Sequence, residues 1–378
     1  MSHATIPHLT DAVKPLSAFA AEDAGPGDRR HYREGSSQLA GELGTQLGSA
    51  LTRFYRLLRN PRIDDQQLTA QLLQLLGHGP RLLIALDWTE WHHDLRMLVA
   101  AVVAGCRAIP VQAAAFSRID IPRSQNLRET TFLQLLVHTL RALEQAAVLL
   151  CDRGFRRTSW LRHLQELRQA FVVRLVADVL VHRGACGGRP LRHWHLMPGQ
   201  TVDLGWVLLR QDRAARVRVV GVWAPGQHEP WWLATDLAAP PAELVALYDR
   251  RMTVGEQFRD SKGCRFGVQL EWTQFRTPTY LARFILLVGV ALVLWTAVGQ
   301  AMAEATPQVR LPCKRKGPRL SLLRVGIPFV AKLALRVYIG VRFIRAHLPP
   351  PRLRHFPGCK PSRRSYRSAK RADGFPDR

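Results

Sequence analysis

Residues 281–302, LARFILLVGVALVLWTAVGQAM, give a helix no face for water. A charge and an amide occur only near its ends, at Arg283 and Gln300. A helix that is apolar all round is stable only inside a bilayer or inside a domain large enough to surround it. A chain of 378 residues, 47% of them hydrophobic, supplies such a domain and suggests two or three in all. No second segment of this kind occurs, and basic residues flank the run on both sides. The expectation is a helix buried on all sides. The alternative is a membrane-attached basic protein.

The rest of the chain divides by texture. Residues 1–37 are polar with Pro and Gly and read as a flexible arm. Residues 38–79 read as a helical module: Leu39, Leu43, Leu47, Leu51, Phe54 and Leu58 fall at helical spacing. NPRIDD breaks that helix, with Asp64 or Asp65 as the cap of the next. Arg53, Arg56, Arg59 and Arg62 allow this module to bind DNA, and a helical prop for the next domain is equally consistent. From residue 80 the chain alternates. RLLIALDWTEW, LRMLVAAVVAG and AIPVQAAAF read as strands, RETTFLQLLVHTLRALEQ as a helix and AAVLLCDRGF as a strand. TSWLRHLQELRQ and FVVRLVADVLV follow as helix and strand. The order βββ-α-β-α-β over 80–182 is that of a ribonuclease-H-like mixed sheet, an α/β fold.

Residues 183–239, rich in Trp and turn residues, read as an all-β insertion. Residues 240–312 resume the core, with a helix at 241–262 leading to the buried apolar one. Residues 313–378 form a basic region, with 18 Lys and Arg against 2 acidic residues from Lys314 on, and the pattern predicts disorder from about 349.

The formal net charge is +25, more than folding requires, and it implies a polyanionic partner: nucleic acid or an acidic membrane surface. Six scattered cysteines without a CxxC pair suggest reduced thiols in a cytosolic protein, and residues 1–30 lack the layout of a signal peptide. Cys186, His193 and His195 offer three loosely spaced ligands without a fourth, which is a poor zinc site.

Two acids stand out. Asp87 follows the apolar part of the first strand, sharing a face with Thr89, and Asp152 ends the fourth strand. In a ribonuclease-H-like sheet these strands are neighbours, so the carboxylates meet. Adjacent carboxylates repel unless a cation lies between them, and hard oxygen ligands suit Mg²⁺ or Mn²⁺. Taken alone, either aspartate reads as a turn cap. The third acid of such a site is expected from YDRRMTVGEQFRDSKG. On a continuous helix Tyr248, Arg251, Arg259 and Lys262 share one broad face, a stripe suited to phosphates, and Glu256 falls largely off it.

These blocks resemble the DDE transposases of bacterial insertion sequences, in the group with a Tyr-x2-Arg-x3-Glu-x6-Lys signature. LLIALDWTEW is similar to the first-aspartate strand, LLCDRGF to the second, and YDRRM…FRDSK to the third block at Tyr248, Arg251 and Lys262. The resemblance spans roughly residues 40–305. It implies that Asp87 and Asp152 hold Mg²⁺ (or Mn²⁺) as catalytic ligands, and that Tyr248, Arg251 and Lys262, with Arg259 beside them, grip DNA. It further implies that a Trp of the β insertion, among Trp206, Trp223, Trp231 and Trp232, stacks on a base. Since adjacent residues of a strand face opposite ways, one of Trp231 and Trp232 is expected to be exposed. Gly255 stands in the glutamate slot, so the third carboxylate is either Glu256, reached by a local change of helix winding, or absent. The expected activity is metal-dependent phosphodiester hydrolysis and strand transfer at element ends. The alternative is a decayed copy that only binds DNA. Double-stranded DNA, a homodimer on it and a cytoplasmic, nucleoid-associated location follow from the resemblance and the mechanism.

Overall fold

The computed structural model describes residues 52–305, apart from 53, 78, 92–93, 105–106, 185–186, 211–214, 225–226 and 256–274. The predicted arm, the first part of the helical module and the basic C-terminal region lie outside the described residues. The described part is a mixed α/β fold around one ten-stranded sheet.

Three apolar runs make its first edge: β1 (Leu82–Trp91), β2 (Leu95–Ala104) and β3 (Arg107–Ser117), each antiparallel to the next. Helix α2 (Ile121–Ala142) then carries the chain back, so that β4 (Ala147–Cys151) pairs parallel with β1. Helix α3 (Thr158–Glu166) repeats the crossover and sets β5 (Ala170–Leu175) parallel with β4. Both β4 and most of β5 are buried, which explains their nearly continuous Val and Leu content.

The run read as one strand over FVVRLVADVLV is in fact two. It turns at Ala177 and Asp178, and β6 (Leu180–His182) starts a separate pairing. β7 (Arg189–Pro190), β8 (Thr201–Leu209), β9 (Ala215–Val222) and β10 (Trp231–Thr235) complete the sheet in the order β3-β2-β1-β4-β5-β10-β9-β8-β6-β7. β10 pairs antiparallel with β5, so the Trp-rich strands extend the same sheet.

This corrects the expectation for the adjacent tryptophans. Trp231 and Trp232 are both buried, because β10 lies between β5 and β9 with both of its faces covered. Trp232 lies over Gly221, its cross-strand partner, where a Cβ would come within 2.4 Å of the indole ring.

The preceding helix α1 (Asp65–Leu76) is capped by Asp64, whose side chain accepts from the amides of Gln66 and Gln67. Asp65, the other candidate cap, pairs with Arg283 at 2.7 Å. Arg283 belongs to the apolar helix, now α5 (Pro278–Ala305), and also donates to the carbonyls of Leu58 at 2.6 Å and Asn60 at 3.0 Å. The one charge within the apolar run thus satisfies helix-end carbonyls that would otherwise be bare.

Pro278–Val298 is long and apolar enough to cross a membrane, and 83% of its most apolar window is buried within this fold. It packs on β3, approaching so closely that a Cβ at Gly289 would lie 2.2 Å from the Pro110 carbonyl oxygen. Pro110 is tolerated because β3 is an edge strand, beside an irregularity opposite Ala100 and Ala101.

Candidate active site

Strand register builds the site. Leu86 pairs with Cys151 across the parallel β1–β4 junction, so Asp87 and Asp152 occupy the next position on each strand. Arg251 lies between them, with Nη2 3.0 Å from Asp87 Oδ1 and 3.5 Å from Asp152 Oδ2. The two carboxylates predicted to converge are thus within reach of one guanidinium nitrogen.

Burial pushes the Asp87 carboxyl up to about 6; Arg251 opposes that shift and the charge of Asp152 adds to it. Asp152 divides its work between its oxygens. Oδ1 accepts from the Gly154 amide at 2.8 Å, capping a short 3₁₀ turn at Arg153–Phe155, while Oδ2 faces Arg251. Asp152 is thus a turn cap that also faces the Arg251 guanidinium it shares with Asp87.

Arg251 arrives through a correction to the predicted helix. Helix α4 (Pro241–Asp249) stops at Asp249, residues 250–251 form a turn, and helical structure resumes at 252–255. A uniform helical wheel through 241–262 therefore does not apply. The turn sends Arg251 onto the aspartates and leaves its Nε buried with no partner among the described residues. Tyr248 is buried, and burial raises its phenol to about 12. Its ring packs edge-on against Trp231 at 5.1 Å. Gly255 is exposed, and among the described residues a Cβ there would meet nothing within 4 Å. Glu256, Arg259 and Lys262 lie outside the described residues.

Of the other tryptophans, Trp206 is 47% exposed with Arg216 5.7 Å over its ring, and Trp223 donates to the Gln227 carbonyl.

Sequence reasoning missed the support behind the aspartates. Glu129 of α2 is fully buried and accepts from Trp88 Nε1 and Gln125 Nε2, each at 2.8 Å, while pairing with Arg157. Trp88 adjoins Asp87, and Arg157 precedes α3 just beyond Asp152. Glu129 therefore ties together the two segments that carry the aspartates. A signal was available, since Glu129 falls on the stripe of Leu133, Leu136 and Leu140, where only apolar residues are expected. Sequence reasoning also passed over Arg153, Arg174 and Glu229. Arg174 Nη2 lies 2.7 Å and Arg153 Nη1 3.5 Å from Glu229 Oε1, and the Arg174 guanidinium sits 5.7 Å over the Trp231 ring.

Among the described residues no three His, Cys, Asp or Glu side chains gather as a metal site. Two carboxylates do converge on one positive group. Their hard oxygens fit a divalent cation, and the guanidinium now supplies the opposite charge there.

Comparison with curated proteins gives no match. Among solved structures, the chain is similar to one described as a cryo-EM structure of the piggyBac transposase synaptic complex with hairpin DNA. That match has 11% identity, covers 90% of this chain and 74% of that one, and has a TM-score of 0.43, a likeness from which neither function nor partner follows. Residues 115–294 match the family model described as "Transposase DDE domain", a stretch that holds Asp152, Tyr248, Arg251 and Gly255 and begins after Asp87. That match, over just under half of the chain, is a similarity to the DDE transposase domain.

Proposed function

We propose that the chain is a DNA transposase of the insertion-sequence group with the Tyr-Arg-Glu-Lys signature. It hydrolyses a phosphodiester at the element end and joins the freed 3′-hydroxyl to target DNA. The observation that carries this reading is the convergence of Asp87 and Asp152 on Arg251 at neighbouring parallel strands. The order β3-β2-β1-β4-β5, with β1, β4 and β5 parallel, supports a ribonuclease-H-like core in which β7 to β10 belong to an insertion.

Asp87 and Asp152 would hold the Mg²⁺ (or Mn²⁺) that DDE domains generally use. Such an ion, when bound, polarises phosphodiester oxygens and activates water or a 3′-hydroxyl. The protein's own part is positional. Glu129 fixes the aspartate-bearing segments, and Arg251 balances the carboxylates and turns to phosphate as DNA enters. Arg259 and Lys262 hold the backbone, while Trp206 offers an exposed ring for a base. Buried Tyr248 orients Trp231 and Arg251 instead of touching the strand. Double-stranded DNA is the partner, bound by a homodimer in the cytoplasm at the nucleoid.

The glycine at position 255, in the signature's glutamate slot, gives a second reading, a decayed copy that binds DNA without cutting it. Mg²⁺-dependent nicking of end-containing DNA by this chain and by Gly255→Glu separates the two. Equal nicking by both supports Glu256 as the third carboxylate. Nicking only after substitution establishes decay, and nicking by neither overturns the catalytic reading.

A further inference from the structure

We propose that Arg153 and Arg174 form a phosphate-binding subsite beside the aspartates, and that Glu229 fills it until DNA displaces that carboxylate. The inference rests on the DNA-transposase reading and adds a binding step to it.

Arg153 directly follows Asp152, and Arg174 comes from β5, the strand next to the one that Asp152 ends. Both guanidiniums reach the same oxygen, Glu229 Oε1, at 3.5 and 2.7 Å. Two forks converging on one anionic oxygen form an arrangement that also suits a phosphate. Arg174 is held in advance: its side chain is 19% exposed and its guanidinium lies over Trp231. Trp231 in turn packs on Tyr248, on the helix that leads to Arg251.

Glu229 is a different kind of partner. Its side chain is 59% exposed, on the segment entering β10, so it can swing away without opening the core. An ion pair with one partner this exposed adds little to stability. A phosphodiester drawn in by a chain of net charge +25 competes readily with so weak a lock. The carboxylate therefore acts as an internal substitute for phosphate, keeping the two arginines paired when DNA is absent.

The test is fluorescence anisotropy of a short duplex, without divalent metal, over a series of salt concentrations. Glu229→Gln should bind about two- to fivefold tighter. Arg153→Ala and Arg174→Ala should each flatten the log–log salt slope by about 0.9. In the double arginine variant, Glu229→Gln should bring no gain. Arg174→Lys, which keeps the charge but not the fork, should recover the slope, and melting curves verify that each variant is folded. If the unaltered chain binds duplex while these substitutions leave affinity and slope unchanged, the subsite is refuted and the transposase reading stands. If the unaltered chain binds no duplex at all, the transposase reading fails and the subsite fails with it.

Discussion

Asp87 is ionised at neutral pH against the preference of its surroundings. Its folded-state carboxyl lies near 6 instead of 3.8, chiefly through burial. The folded chain then holds this proton more tightly than the unfolded chain does. The contribution to stability is full below about 3.8 and is lost as pH rises through about 6. Ionised Asp87 thus costs on the order of 2–3 kcal/mol near neutrality. Asp87→Asn should therefore raise unfolding stability by about 2 kcal/mol near pH 7.5, with the gap closing towards pH 4, as measured by urea denaturation at both. A less stable Asn variant near neutrality would mean that the Arg251 ion pair outweighs burial. Strand alternation and an acid at a strand end made Asp87 and Asp152 legible in the sequence. The interposed Arg251 was not, because its placement depends on a turn at 250–251 inside what reads as continuous helix. Glu129 stood in plain view on an apolar stripe, but its partners Trp88 and Arg157 lie 41 and 28 residues away in sequence.

Among the elements, α5 shows how much a composition can and cannot tell. Its burial followed from having no polar face. The strand it would press against did not, because periodicity carries no address. The contact with Pro110 is specific enough to test. Gly289→Ala improves helix propensity by about 1 kcal/mol. It also drives a methyl group into backbone, since the Pro110 oxygen is only 2.2 Å from where the Cβ would sit. A carbonyl in a sheet cannot step aside as a side chain does, so the helix must shift. The expected net effect is a loss of about 1–3 kcal/mol in urea unfolding. Unchanged stability would show that α5 slides freely on β3. The pair Trp231 and Trp232 failed in the opposite way: alternation correctly sends them to opposite faces, but nothing local says that both faces of β10 are covered.

For the whole molecule, the basic charge and the βββ-α-β-α-β order were legible because each is a property of the linear chain. The joining of the Trp-rich strands to the main sheet was not, since it depends on β10 finding β5 from more than fifty residues away. That junction has a practical consequence. Cutting out residues 183–239 would strip Val172, Val173, Arg174 and Leu175 of their β10 partners and leave β5 as a naked, adhesive border. Light scattering on a size-exclusion column should show the excised protein as larger assemblies than the intact chain; a species of the same assembly state would refute this. The molecule, on this view, cannot be trimmed to its aspartate-bearing strands: the segment that looks like an accessory is also what keeps the chain from sticking to itself.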